Sequence, residues 1–95
     1  MVIIHGGIVV DPARTAEVDA AAVTFQKASR GEDGCLEYQL SWLAGSPAEL
    51  RLLEIWESRE KHQAHREAAH TVAWTSFIRG VAVAPASFTD LTTAD

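Results

Sequence analysis

The side chains best suited to moving a proton beside an aromatic surface are histidine, tryptophan and tyrosine, and most of them here fall between Glu54 and Trp74, EIWESREKHQAHREAAHTVAW. His62 and His65 stand at i, i+3 on an expected helix, so their rings are surface neighbours able to share a substrate proton or a metal ion. A metal site wants a third ligand, and the sequence shows neither HExxH nor a His-carboxylate pattern of comparable specificity, so no metal is expected. His70 follows about 140° round from His65 on an unbroken helix, on the face of Trp74 at i+4. Each histidine also has a plainer reading as a solvent-facing or hydrogen-bonded core imidazole. For His62, between Lys61 and Gln63, that reading is the stronger.

Trp56 closes an apolar run that alternates like a strand, where it is either core or the wall of a cavity. On the second reading Tyr38, Glu54 and His65 converge beside it, and a flat aromatic face with a few placed polar groups suits a planar phenolic or quinol ligand. His65 then takes the phenolic proton, because imidazole titrates near neutrality. Glu54 in an apolar strand is either paired, with an arginine for example, or held neutral by burial. Cys35 reads as a small core residue rather than a nucleophile, since nothing basic adjoins it. His5, beside Gly6 and Gly7, is a further candidate for contacting substrate, because glycines leave space there.

These groups need a scaffold. Val2 to Val10 is almost wholly β-branched and apolar, which predicts a central strand with a close backbone approach or a bulge at Gly6-Gly7. Asp11-Pro12 is helix-start chemistry, and Val18, Ala21, Ala22, Phe25 and Ala28 recur at helical spacing until Gly31 stops the helix near Ser29 or Arg30. Glu32-Asp33-Gly34 is a turn. Cys35 to Leu43 follows as a strand with Leu36, Tyr38, Leu40 and Trp42 on one face. After a loop over Ala44-Gly45-Ser46-Pro47, Leu50 to Trp56 is a third strand, with Leu52, Glu54 and Trp56 on one face and Leu53 and Ile55 on the other. Ser58 caps the next helix, with Glu60 favourable in its first turn and a break expected near Ala69. Val81 to Leu91 is expected to be a last strand, at an edge because of Pro85, and Thr92 to Asp95 a frayed tail.

The order βαββαβ with right-handed crossovers predicts an α+β, ferredoxin-like domain: a four-stranded antiparallel sheet with its helices on one face. Ile3, Ile4, Ile8, Val9, Val10, Leu53, Ile55, Val81 and Val83 supply apolar side chains for both faces, so the uncovered one predicts a homodimer joined sheet to sheet. At 95 residues, 47% of them hydrophobic, the chain makes one domain over 1–95 with a thin core that association would support. A net charge of -5 with no basic run argues against nucleic acid and anionic membranes as partners. One cysteine excludes an internal disulfide, and neither a leader nor an apolar run of about 20 residues is seen, so a cytoplasmic protein is expected.

Gly34-Cys35-Leu36-Glu37-Tyr38, Glu54-Ile55-Trp56-Glu57-Ser58, and then His65, Ala69-His70 and Trp74 occur in an order that resembles the antibiotic biosynthesis monooxygenase (ABM) domain family. These are small dimeric α+β barrel proteins that include quinol monooxygenases and polyketide-modifying oxygenases. The resemblance implies the same βαββαβ dimer and a cofactor-independent oxidation of an electron-rich aromatic by dioxygen, in which the protein supplies deprotonation, binding and water exclusion. The chain contains no asparagine. The polyketide oxygenases that it resembles use one at the place of Leu52 and a tyrosine at the place of His62, and keep a tryptophan at Trp56. The haem-degrading branch uses an Asn, Trp and His set, and the matching places hold Gly6 or a neighbour, His65 and about Thr75, so that branch is not expected. Residues 54 to 74 look closest to the quinol-oxidising branch.

The expectation is therefore a monooxygenase acting on a quinol, anthrone-like or related polyphenolic substrate. His65 is its base or hydrogen-bond donor, Trp56 and Tyr38 are its walls, and Glu54, His62, His70, Trp74 and His5 support the substrate. Two other classes compete: a non-catalytic barrel binding a small hydrophobic ligand or a partner, and an isomerase or cyclase of aromatic metabolism.

Overall fold

The computed structural model describes residues 1–93. Its first strand, β1, is Val2–Val9. Asp11 then accepts a hydrogen bond from the Ala13 N–H at 2.9 Å and opens a 3-10 turn over Pro12–Arg14, so the cap and first-turn proline act where expected but one turn ahead of the helix proper. That helix, α1, is Thr15–Arg30, and its buried stripe is Val18, Ala22, Phe25 and Ser29. Strand β2 is Cys35–Leu43 and β3 is Ser46–Trp56. Helices α2, Arg59–Glu67, and α3, Ala69–Val81, lead to a four-residue strand β4, Ser87–Asp90.

The strands form one antiparallel sheet in the order β2-β3-β1-β4, which is the ferredoxin-like arrangement with β1 central. β1 pairs with β3 in unbroken register from Val2 against Trp56 to Val9 against Glu49, so its glycines mark close approach and not a bulge. A Cβ on Gly6 would lie 2.1 Å from the carbonyl oxygen of Ser87 on β4. The bulge is in β2 instead: Cys35 pairs with Trp56 and Glu37 with Ile55, leaving Leu36 unpaired. Leu36 is accordingly 56% exposed and off the face that Tyr38, Leu40 and Trp42 share. The β2–β3 connection is tighter than expected. Only Ala44-Gly45 turns, with Gly45 at φ 81°, while Ser46 and Pro47 already belong to β3.

Two further expectations change at the C-terminal end. Val81 lies at the end of α3 and not in a strand, because Trp74, Ile78 and Val81 continue a helical stripe that outweighs the β-branched run after it. Strand pairing resumes at Ser87, after Pro85. Beyond β4 the Leu91 N–H donates to the Ile3 carbonyl at 2.7 Å and the Thr93 N–H to that of Met1 at 2.9 Å, so the chain follows β1 where a frayed tail is expected from Thr92. The remainder of that tail, 94–95, lies outside the described residues.

The core has two clusters between sheet and helices. One joins Val10, Val18, Ala22, Leu50, Ile78 and Val81; the other joins Val2, Phe25, Tyr38 and Trp56. Ile4 and Ile8 pack against these clusters and Val10 and Val81 belong to them, so of the apolar side chains expected to serve both faces these four serve the helix-covered one. Strand alternation keeps Ile3, His5, Val9, Leu53 and Ile55 there. No helix among the described residues is long and apolar enough to cross a membrane.

Candidate functional site

Beside the second core cluster, between α2, α3 and the inner face of the sheet, lies a cleft of about 420 Å3, within the range that holds small-molecule ligands. Tyr38, Leu52 and Glu54 reach it from β2 and β3 because alternation puts positions two apart on one face. His62 and His65 come from α2. Their helix starts where the Ser58 hydroxyl accepts the Lys61 N–H at 3.2 Å, which fixes the face that α2 turns inward. Trp74 comes from α3. A larger cavity of about 670 Å3 shares Leu52, Trp74, Thr75 and Phe88 with this cleft and extends it toward Ile8, Leu50 and Ile78.

Glu54 is buried, and its Oε1 accepts a hydrogen bond from the Trp56 indole Nε1 at 2.7 Å. His62 Nε2 lies 3.3 Å from the same oxygen and His65 Nε2 4.0 Å from it. Glu54 is thus paired, with an indole and imidazoles instead of an arginine. His65 Nδ1 is 2.5 Å from Glu32 Oε2, His70 Nε2 is 2.9 Å from that oxygen, and the Thr71 hydroxyl is 3.3 Å from His65 Nδ1. Polar groups therefore run Trp56, Glu54, His65, Glu32, His70 through an otherwise aromatic wall, hydrogen-bonded except for the 4.0 Å step from Glu54 to His65.

Rings close around His65. Its centroid is 4.6 Å from Trp56, 5.3 Å from Tyr38 and 5.8 Å from Phe25, and Phe25 stacks on Trp74 at 4.9 Å with planes 6° apart. Such packing leaves His65 only 3% exposed and fixes its plane. Burial first, and then the Glu54 carboxylate, push the Tyr38 phenol far above its usual range, so it stands in the site as a neutral hydroxyl. Burial likewise pushes the Cys35 thiol up, in keeping with a core residue and not a nucleophile.

The expected site residues divide into three groups. Tyr38, Glu54, His62, His65 and Trp74 line the cleft. Trp56 and His70 are not among its lining residues: Trp56 has 0% exposure and backs Glu54 and His65, so it supports the site and is not its wall, while the half-exposed His70 meets Glu32 beside it. On an unbroken helix His70 would stand well round from His65, but the break expected near Ala69 falls at Ala68, whose ψ of 144° ends α2 and lets both rings meet Glu32. His5 is on the opposite face of β1, opposite Leu53 and Thr89, and reaches none of these groups. His62, whose plainer reading is a solvent-facing or hydrogen-bonded core imidazole, is the second of these, buried against Glu54.

Sequence reasoning missed Glu32, Arg59, Arg66, Thr71 and Asp90, of which all but Glu32 line the cleft. Arg59, His62 and Arg66 are spaced three and four apart, a signal that they share a face. Glu32 offered none, because it sits in the turn before β2, 33 residues from His65. Arg59 bonds Asp90 Oδ2 at 2.9 Å and also the Thr92 hydroxyl, tying α2 to β4 at one edge of the cleft. Its guanidinium, followed by the Thr92 hydroxyl, draws the Asp90 carboxyl from an ordinary 3.8 to about 2.

Comparison with known proteins agrees with the fold. A putative antibiotic biosynthesis monooxygenase from Nitrosomonas europaea superposes with a TM-score of 0.92 at 20% identity, covering 100% of both chains. Rv0793 from Mycobacterium tuberculosis gives 0.88 at 24% identity, over 99% of this chain and 95% of that one. A putative antibiotic biosynthesis monooxygenase from Deinococcus radiodurans gives 0.90 at 22% identity, over 100% and 94%. At such identities these structures attest to the fold. No curated protein matches the chain significantly. Residues 1–76 match the sequence profile described as antibiotic biosynthesis monooxygenase, and with four-fifths of its length so matched the chain belongs to that family.

Proposed function

We propose that the cleft is the active site of a cofactor-independent monooxygenase that oxidises a quinol, anthrone-like or related polyphenolic substrate with dioxygen. The observation that carries this reading is His65, laid among aromatic rings at the cleft with Nδ1 on Glu32. With its Nδ1–H donated to Glu32, the imidazole keeps Nε2 as the proton acceptor, and the carboxylate fixes both tautomer and ring orientation. A phenolic O–H, or the acidic methylene of an anthrone, gives its proton to Nε2. The imidazolium so formed lies between Glu32 and Glu54, whose charges favour it. The substrate anion, electron-rich enough to reduce dioxygen, then supplies the electrons itself. For a methylene the balance is CH2 plus O2 giving C=O plus H2O. Tyr38, kept neutral, donates a hydrogen bond to substrate, and Trp74, stacked on Phe25, presents a flat apolar surface to its ring.

The homodimer belongs to the same proposal, joined through the uncovered sheet face where Ile3, Val9, Leu53 and Ile55 lie. A single half-buried cysteine fits a reducing compartment, the cytoplasm.

The test is oxygen uptake by chelator-treated protein with hydroquinones, naphthoquinols and anthrones, autoxidation subtracted. Catalysed uptake is expected, falling about 10²- to 10⁴-fold in His65→Gln and substantially in Glu32→Gln. Full activity in His65→Gln would remove that residue from the mechanism. Turnover of substrate without oxygen consumption would point to an isomerase or cyclase instead.

A further inference from the structure

The residues that orient His65 also compose a ligand set that the sequence alone does not assemble. Glu32 Oε2, His65 Nδ1 and His70 Nε2 all lie within 4.8 Å of one another. Two imidazoles and one carboxylate are a donor set that zinc-class ions accept, with a fourth position left for water. We propose that these three side chains bind one divalent transition-metal ion of the zinc class, and that the ion silences His65.

Three features support this site. First, the spacing needs only small side-chain movement. Ligands at about 2.0–2.1 Å from a tetrahedral ion stand roughly 3.3 Å apart. Glu32 is 2.5 Å from His65 and 2.9 Å from His70, so its carboxylate withdraws by less than about 1 Å as the two imidazoles converge on the ion. Second, the ligands that must move have room to do so. The side chain of His70 is 32% exposed and that of Glu32, in a turn, is 18% exposed, which also gives the ion a path in. Third, a carboxylate stands near the other ring nitrogen of His65: Nε2 is 4.0 Å from Glu54 Oε1, ion-pair distance rather than a hydrogen bond. A metal on Nδ1 requires Nε2 to carry the proton, and a carboxylate beside that N–H is the usual support of a metal-bound histidine. The same protonation removes the acceptor that proton abstraction needs, so the ion and the proposed chemistry exclude each other.

The test is titration of Co2+, a visible-light reporter for zinc sites, into full-length protein freed of metal by chelator, followed by displacement with Zn2+. Expected is one Co2+ per chain with the absorption bands of a four- or five-coordinate site. Its affinity should fall at least about 10-fold in Glu32→Gln and in His70→Ala, and persist in His5→Gln, which removes a histidine from the opposite face. Circular dichroism checks the fold of each variant. If His70→Ala misfolds, Glu32→Gln, which keeps shape and volume, decides alone. Absence of stoichiometric bands overturns the proposal, as does binding unchanged in Glu32→Gln.

Discussion

Tyr38 carries the only phenol of the chain, so its titration can be read without interference. Buried beside the Glu54 carboxylate, it is raised well above the ordinary value of 10.0. The neutral form is therefore held in the folded state, whereas in the unfolded chain the phenol ionises near 10. The sign follows from proton linkage: this group's contribution to stability is fully present below about pH 10 and is lost as pH rises above it, because the unfolded state then binds fewer protons. The expected outcome is no tyrosinate absorbance near 295 nm in the native protein at pH 10 to 11, and its appearance only together with alkaline unfolding. A free titration near pH 10 would show the phenol to be solvated. At this scale the sequence was informative for side chains on regular elements: Tyr38, Glu54 and Trp56 were placed by strand alternation, and His65 by helix spacing from Ser58. It was silent about Glu32, a turn residue whose role arises only from what the turn abuts.

Among the elements, β4 depends on the least. It has four residues, lies at the edge, and is held by pairing with β1 and by the Arg59–Asp90 bridge. Gly6 sets that pairing distance, since a side chain there would meet the Ser87 carbonyl at 2.1 Å, a backbone atom that cannot rotate away. Gly6→Ala is expected to destabilise the fold by about 1–3 kcal/mol through overpacking. Amide exchange in Ser87–Asp90 should accelerate more than in β3, as read by denaturant melts and hydrogen exchange. Equal protection in β4 would mean that the strand moves over without cost. A continuous β-branched apolar run located β1, and periodicity located α1 and β3 because each buries one regular face. It misjudged the region after Trp74, where helical spacing and β-branched composition overlap and the tertiary core chose the helix through Ile78 and Val81. The break expected near Ala69 falls at Ala68 and has a consequence that spacing did not foretell, the convergence of His65 and His70.

For the molecule as a whole, the proposed homodimer rests on the apolar side chains left to the uncovered face, since Ile4, Ile8 and Val10 face the helices. Ile3, Val9, Leu53 and Ile55 remain. Sedimentation equilibrium is expected to give twice the chain mass, and Ile55→Asp, placing a charge on the uncovered face beside Ile3, should shift it to monomer. A monomeric wild type would remove the dimer from the reading. Sequence by itself determined the order of elements, the ferredoxin-like sheet and the concentration of chemistry in residues 54 to 74, because apolar periodicity and caps act within a few residues of one another. Only the tertiary structure decided which groups meet. It brought the turn before β2 against α2, so that Glu32 reaches His65 and His70, it put Trp56 behind the cleft, and it sent His5 to the far face. Those contacts join residues tens of positions apart, and they are fixed by how the crossovers stack helices on the sheet, not by any spacing along the chain.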